Sequence, residues 1–206
     1  VFNTTGDNNT ALGYAALYAN TTADENTAVG RGALAANTTG TPNTAVGSLT
    51  LTANTTGASN TAMGRQSMQA NTTGNCNTAV GRCSLKANTT GLNNTAVGHK
   101  SLLANTTAND NSAFGFRAME TNTTGNTNSA FGQFALFANT TGRFNMAYGN
   151  SSLDSNTTGE SNTAVGYLAL SAVTTNGNNV AIGHEALKLT TGYENTGLGN
   201  QAGDGI

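Results

Sequence analysis

One five-residue phrase, Asn-Thr-Ala-Val-Gly, returns along the whole chain and constrains the fold more than any other feature. Its first copy begins at Asn9, and twelve copies follow one another up to the copy that begins at Asn195. The first ten steps are 17 residues each, and only the last step, from Asn179, is 16. Self-similarity at a short fixed period is the sequence signature of a solenoid or a related array.

The length of the repeat selects the class of solenoid. Helix-pair repeats run to about 33 residues or more, so 17 residues are too few for them. The many Gly, Asn and Thr residues and the lack of long stripes with a helical period favour strands and tight turns. We therefore predict an all-β parallel solenoid, a β-roll or β-helix with two or three short strands in each coil. About twelve coils at about 4.8 Å each make a rod of roughly 55 Å.

The chain is predicted to be a single solenoid domain over residues 1–206. The repeats are regular to about residue 172 and degenerate over 173–206, where Val173 replaces an asparagine and Gly197 replaces an alanine. The first residues already follow the repeat, which is the pattern of a processed product or a part of a longer fibre.

Two ladders of large apolar residues are the predicted core. The first ladder occupies the fourth position of the phrase and contains Leu12, Val29, Val46, Met63, Val80, Val97, Phe114, Phe131, Tyr148, Val165, Ile182 and Leu198. The second lies five residues further on and contains Leu17, Leu34, Leu51, Met68, Leu85, Leu102, Met119, Leu136, Leu153, Leu170 and Leu187. In a stack of coils, each of these side chains is expected to pack on its copy above and below.

If the first ladder points inward, strand alternation turns the alanine and the glycine beside it outward. The residues at these positions are almost invariant, whereas a solvent-exposed face would tolerate large polar residues. Two interpretations follow: the glycine supplies a positive φ at a corner, or a second copy of the chain packs closely on a flat face. The candidate packing face consists of Ala28, Gly30, Ala45, Gly47, Ala62 and Gly64.

Asparagine and threonine recur at fixed positions and are predicted to be structural. Asparagine suits turns, and stacked amides can bond to their copies in the next coil. The predicted asparagine ladder includes Asn26, Asn43, Asn60 and Asn77. The repeated Thr-Thr pairs either form a structural ladder or present a flat array of hydroxyl groups that orders water, as in ice-binding solenoids. Asn-Thr-Thr also matches the acceptor sequence for N-glycosylation.

Charge and aromatic residues are confined to a few variable positions. One edge is mostly basic and the opposite edge mostly acidic, which is typical of solvated edges or of lateral matching between neighbouring rods. Six of the seven phenylalanines lie within residues 111–148. Four of them, Phe116, Phe134, Phe137 and Phe144, fall in variable positions and form a candidate contact surface for a glycan, a receptor or another fibre.

The composition excludes several function classes. Only 9% of residues are charged and the net charge is −2, so no basic surface for nucleic acid or an anionic membrane is expected. No apolar run approaches the about 20 residues of a membrane span.

His99 and His184 lie five repeats apart, roughly 24 Å along the rod. Cys76 and Cys83 are too far apart along an extended segment for a disulfide within the chain. We predict no catalytic, cofactor or metal site.

The phrase Asn-Thr-Ala-Val-Gly-x-x-Ala resembles the Ser-x-Ala-Ile-Gly-x-x-Ala repeat of YadA-like heads of trimeric autotransporter adhesins. With Asn-Thr-Thr-Gly, it is also similar to arrays in large bacterial and phage fibre proteins. The likeness covers Asn3 to about Gly199. It implies a parallel β-roll, homotrimeric and often left-handed, that serves as an adhesive head or fibre shaft. The adhesin repeat is shorter than 17 residues, and the triangular coil of hexapeptide left-handed β-helices is an alternative of similar length.

The expected function is that of a structural, non-enzymatic, extracellular protein at a cell surface or on a virion. The chain is predicted to stack and oligomerise with copies of itself as a fibre, filament or adhesin shaft. An ice-binding solenoid that uses the threonine ladders is the first alternative. The second is a tail fibre that binds a host glycan or receptor through the phenylalanine-rich segment.

Overall fold

A computed structural model describes residues 3–204 and confirms the predicted class, an all-β parallel solenoid. The twelve strands form a single parallel sheet in sequence order. They are β1 Thr10–Leu12, β2 Thr27–Val29, β3 Asn43–Val46, β4 Asn60–Met63, β5 Thr78–Val80, β6 Thr95–Val97, β7 Ser112–Phe114, β8 Ser129–Phe131, β9 Met146–Tyr148, β10 Thr163–Val165, β11 Val180–Ile182 and β12 Thr196–Leu198. No helix among the described residues is long and apolar enough to cross a membrane.

The repeat sets the register of the sheet. Each strand pairs with the same residues of the next copy, so that Ala28 aligns with Ala45 and Val29 with Val46. The 16-residue last step keeps this register, because Ala181 aligns with Gly197. Backbone hydrogen bonds between coils continue outside the strands, for example from the Leu34 amide to the Thr50 carbonyl at 3.1 Å.

Each coil contains one strand, and not the two or three that the repeat length suggested. The reason lies in the backbone on both sides of the strand. Left-handed conformations recur at fixed positions, as at Glu25 (φ 57°), Gly32 (φ 67°) and Leu34 (φ 49°). Such residues bend the chain sharply and interrupt extended structure.

The core sits on the opposite side of the strands from the side predicted by the sequence. The second apolar ladder is fully buried, as expected, with Leu34 and Leu102 both 0% exposed. The first ladder, however, points outward: Met63 is 44% exposed and Ile182 43%. Since side chains alternate along a strand, the alanine between the two outward residues points inward.

The prediction that Ala28, Ala45 and Ala62 form a packing face for a second copy is therefore wrong. These three alanines are 0% exposed and belong to the core. Gly197 occupies the same position in the last coil and shows why the residue must be small. A Cβ atom there would lie 2.7 Å from Cγ of Leu187. The coil is so narrow that the strand and the leucine ladder leave room for little more than a methyl group.

The glycines of that face, Gly30, Gly47 and Gly64, have an explanation within the chain. Gly30 has φ 131°, and a Cβ atom on it would lie 2.5 Å from the carbonyl oxygen of Gly47 in the next coil. Both the corner geometry and the close approach of the next coil require glycine. These glycines give no support to a packed second copy.

Two asparagine ladders run through the interior. The first is formed by the asparagine that heads each phrase: Asn77 Nδ2 donates to Asn60 Oδ1 at 3.2 Å and to the Gly91 carbonyl at 2.9 Å. Asn60 bonds in the same way to Asn43, and the Asn43 amide donates to Asn26 Oδ1. All four predicted ladder residues, Asn26, Asn43, Asn60 and Asn77, are 2% exposed or less.

The second asparagine ladder is formed by the asparagine of Asn-Thr-Thr. Asn54 Nδ2 donates to Asn37 Oδ1 and to the Gly57 carbonyl, both at 2.9 Å. Buried amides need such partners, because an unsatisfied group costs about 1–3 kcal/mol. The ladders therefore supply the polar interior that replaces a thick apolar core.

Candidate functional site: the outer face of the sheet

The sheet presents one continuous face to solvent, here called the outer face, which consists of two rows. The threonine row contains Thr10, Thr27, Thr44, Thr61, Thr78, Thr95, Ser112, Ser129, Met146, Thr163, Val180 and Thr196. The valine row is the first apolar ladder, from Leu12 to Leu198. None of these side chains, all within the described residues, is charged.

The outer face is a strip with a regular lattice of side chains. Eleven steps of about 4.8 Å make it about 53 Å long, and the two rows lie about 7 Å apart. Including the side chains, a strip about 10 Å wide has an area of about 500 Å². This size lies within the range of the largest patch on a typical monomeric protein, about 300–600 Å², and such patches are often functional.

The hydroxyl groups of the threonine row make no hydrogen bond within residues 3–204, as at Thr27 and Thr78. The Thr-Thr pairs behave differently. The first threonine of a pair bonds the next coil, as when Thr38 Oγ1 donates to the Thr55 carbonyl at 3.0 Å. In most pairs only the second threonine, such as Thr39, is exposed, although Thr4 and Thr174 are exposed first threonines. About half of the hydroxyl groups in the predicted array on these pairs therefore form hydrogen bonds within the fold. The row of hydroxyl groups without such bonds lies on the strands.

Three aromatic rings interrupt the valine row. Phe114 stacks on Phe131 with ring centroids 4.6 Å apart, and Phe131 stacks on Tyr148 at 4.5 Å. Phe114 and Phe131 are the only phenylalanines of the row, and their coils are the only ones with serine, Ser112 and Ser129, in the threonine row. In these two coils a larger residue in the valine row is thus accompanied by a smaller one in the threonine row, whereas Tyr148 is accompanied by Met146.

Charged residues flank the outer face on both sides. The basic flank lies two residues after the strands, where five of the twelve coils have Arg31, Arg65, Arg82, His99 or His184 and the others have uncharged residues. The acidic flank precedes the strands and contains Asp7, Asp24, Glu25, Asp110, Glu160 and Glu194. One residue breaks the pattern: Arg143 lies on the acidic side and pairs with Glu160 at 3.0 Å. Among the described residues, Arg31, Arg65 and Arg82 have no ion-pair partner.

The four phenylalanines of the predicted contact surface do not form one site. Phe116 and Phe134 pack edge to face at 5.5 Å, and Phe134 and Phe137 at 5.6 Å. No ring contact joins Phe144 to them among the described residues, and it lies on the other flank, before β9.

The rings of the three clustered phenylalanines are already in contact with other side chains of the chain. The His99 ring stacks on Phe116 at 5.5 Å. The Arg117 guanidinium lies over Phe134 and Phe137, at 5.4 and 4.9 Å from their centroids. A sugar that stacks on an open ring face has little to bind here, so contact with a glycan remains only a prediction.

Ion pairs anchor this aromatic cluster. Glu120 is 7% exposed; it accepts a short hydrogen bond from Arg117 Nε and lies 3.8 Å from Lys100 Nζ. A second pair joins Lys188 to Glu185 at 2.8 Å on the same edge of the rod. Hydrogen bonds from Lys188 and Gln201 lower the pKa of the Glu185 carboxyl group.

Asp154 carries a half-buried carboxyl group, and its Oδ1 atom has no hydrogen-bond partner within residues 3–204. Desolvation raises the pKa of this group above its ordinary value of 3.8. The folded state then holds the proton more tightly than the unfolded state, so this group destabilises the fold as pH rises through and above the ordinary value.

We therefore expect Asp154→Asn to raise the thermal unfolding midpoint at pH 7. The gain should shrink as pH falls towards the ordinary value of 3.8 and disappear below it, because the wild-type carboxyl group is then neutral in both states. Asp110→Asn, at an exposed position, is the control and should change little. A gain that is largest at acidic pH contradicts the assignment.

The described residues contain no group of three or more His, Cys, Asp or Glu side chains able to hold a metal ion. Cys76 is exposed and Cys83 buried, and both are free thiols. Comparisons with protein-family models, curated protein sequences and solved structures found no match to this chain.

Proposed function

We propose that this chain is a structural, non-enzymatic module of an extracellular fibre, filament or adhesin shaft. Copies of the chain associate side by side through the outer face, the single observation that carries the proposal. An uncharged strip of about 500 Å², bordered by charge on both sides, has the charge-depleted centre and the polar rim of a protein interface. The resemblance to adhesin heads adds three copies about a common axis and a place at a cell surface or on a virion.

Aromatic residues within the strip favour a protein partner. The stacked rings of Phe114, Phe131 and Tyr148 stand above the shorter valine and threonine side chains. Aromatic residues are enriched at the centres of protein interfaces. They also break the flatness that a lattice of ice requires.

Association should be lost when charge is placed on the outer face. We expect the wild-type protein to be oligomeric at micromolar concentration in analytical ultracentrifugation and rod-shaped in negative-stain images. Val80→Lys with Val97→Lys should yield monomers, because lysine side chains cannot be desolvated cheaply in an apolar interface. The circular dichroism spectrum should not change, since both valines point away from the core.

The matched control is Thr90→Lys, an exposed position outside the outer face, which should stay oligomeric. A monomeric wild-type protein, or a double variant that associates as strongly as the control, refutes self-association through this face. Compact globules in place of rods contradict the fibre assignment.

The free hydroxyl row favours ice binding as a second candidate function. Threonine hydroxyl groups and valine methyl groups repeat on a regular lattice, with no hydroxyl consumed inside the described part of the chain. This candidate requires a monomer with an open outer face. It predicts thermal hysteresis that Thr78→Lys abolishes, and the absence of hysteresis in the wild-type protein removes it.

A further inference from the structure

We infer that the partner of the outer face is a second copy of this chain that runs in the same direction and in register, with the basic flank of one copy against the acidic flank of the next. This inference rests on the proposed function and specifies its geometry. Three observations carry it: the area of the strip, the order of the two charged flanks, and the coincidence of phenylalanine with serine in the coils of β7 and β8.

The area of the outer face is too small for a stable interface unless the charged flanks are buried as well. A stable, specific interface buries about 800 Å² on each partner, and the outer face alone offers about 500 Å². The residues next to be buried are those that border the strip. Arg31 follows β2 by two residues, and Glu25 immediately precedes Asn26 at the head of the same phrase. The flanks therefore lie at the edges of the same strip.

The order of the basic and acidic flanks indicates whether two neighbouring copies run parallel or antiparallel. When two copies are related by a two-fold axis that lies between the rods and parallel to them, their outer faces meet with strand directions opposed. The basic side of each copy then meets the acidic side of the next. An antiparallel pair instead places basic on basic and acidic on acidic, which is unfavourable between complementary surfaces.

One level of the rod has both charges. Arg31 and Glu25 belong to the coil of β2, and Asp24 adjoins them. In a parallel, in-register assembly, Arg31 of each copy lies opposite Asp24 and Glu25 of its neighbour. Arg65 lies on the same flank, but the residues that precede β4 at its level are Ala58 and Ser59. Arg31 thus has acidic residues opposite it in the assembly, and Arg65, which has none, is its matched control.

Two levels of the outer face, those of β7 and β8, show the same complementarity. In the parallel arrangement, the valine row of one copy lies opposite the threonine row of the next at the same level. Phe114 then faces Ser112 of the neighbouring copy, and Phe131 faces Ser129. Serine leaves room for the larger ring, as close packing across an interface requires.

Charge reversal tests the contact. We expect Arg31→Glu to raise the dissociation constant of the assembly about tenfold at low salt, because three like charges then meet. Glu25→Arg should weaken association similarly, and the double variant should restore it to near the wild-type value. Arg65→Glu, with no acidic residue opposite, should have a much smaller effect. High salt should reduce all of these differences.

Spin-label distances test the direction. Single labels at Thr39→Cys and Thr107→Cys, both exposed positions, are placed in a Cys76→Ser, Cys83→Ala background. In a parallel, in-register assembly the two sites report the same distance between copies. In a fully overlapped antiparallel pair, the Thr39 labels are offset along the rod by about 43 Å and the Thr107 labels by about 5 Å.

The outcomes separate the two proposals. Equal label distances with rescue by the charge swap support the parallel contact. A longer distance at Thr39 than at Thr107 overturns the direction but leaves self-association standing. Equal distances with no greater effect of Arg31→Glu than of Arg65→Glu overturn the charged contact. A wild-type protein that is monomeric overturns the proposed function together with this inference.

Discussion

Ala96→Leu is expected to destabilise the solenoid by about 3 kcal/mol and to lower its thermal midpoint by about 6–12 °C. Ala96 is 0% exposed and lies in the inward row between Ala79 and Ala113. The same position in the last coil lies so close to the leucine ladder that even a Cβ atom would crowd Leu187. Three added carbon atoms can fit only if the coil widens, which strains the backbone bonds to both neighbouring coils.

The matched control is Val97→Leu, one residue further along the same strand. Val97 points to the outer face and is only half-buried, so a larger apolar side chain should change the midpoint by less than about 2 °C. Thermal unfolding followed by circular dichroism measures both variants. If Val97→Leu proves the more harmful substitution, the orientation of the strands described above is wrong.

The repeat alone was enough to predict the fold class, the coil-to-coil register and the buried leucine ladder. The period places each residue next to its copy, and a parallel in-register stack follows from that. It was not enough to predict which face of the strand points inward. Large apolar residues were assigned to the interior because burial of apolar area usually dominates, and in this narrow coil the rule fails.

The evidence for the correct face was present in the pattern of variation among the repeats. The inward position is alanine in eleven copies and glycine in the twelfth, because the space across the coil is fixed. The valine row accepts Leu, Val, Met, Phe, Tyr and Ile. Such a range of sizes is easily accommodated only where side chains point outward. Constant size therefore indicated the interior better than hydrophobicity did.

The candidate site could be predicted only in part. The two charged edges followed from the sequence, since charge is confined to the residues on either side of the phrase. The uncharged outer face between them did not, because it depends on the direction of the strand side chains. The separation of Phe144 from the other phenylalanines depends on where the coil bends, and left-handed residues such as Leu34 set those bends without a glycine to mark them.

Asn88→Val is expected to cost about 3–5 kcal/mol, the largest effect of any single substitution proposed here. Asn88 is fully buried in the second asparagine ladder. Its Nδ2 donates to Asn71 Oδ1 at 2.8 Å and to the Gly91 carbonyl at 3.1 Å, and its Oδ1 accepts from Asn105 Nδ2 at 2.8 Å. Valine removes all three bonds and leaves buried polar atoms without partners.

The chain already contains this substitution at its degenerate end. Val173 stands in the ladder where the repeat has asparagine, and it is fully buried. Its neighbours show the expected consequence, because Asn156 Oδ1 below it and Thr190 Oγ1 above it are buried without hydrogen-bond partners in residues 3–204. The ladder therefore ends at Asn156 with an unsatisfied acceptor.

Val173→Asn is accordingly the reverse experiment, and we expect it to stabilise the fold by about 1 kcal/mol. The new amide can donate to Asn156 Oδ1 and accept from the Thr190 hydroxyl group, which offsets the lost apolar burial of valine. Urea unfolding of both variants compares the same chemical exchange in opposite directions within one ladder. Because the two side chains are similar in size, cavity formation contributes little to either. If Asn88→Val is neutral or stabilising and Val173→Asn destabilises, apolar burial outweighs the amide bonds, and the polar interior is tolerated by this fold without being what stabilises it.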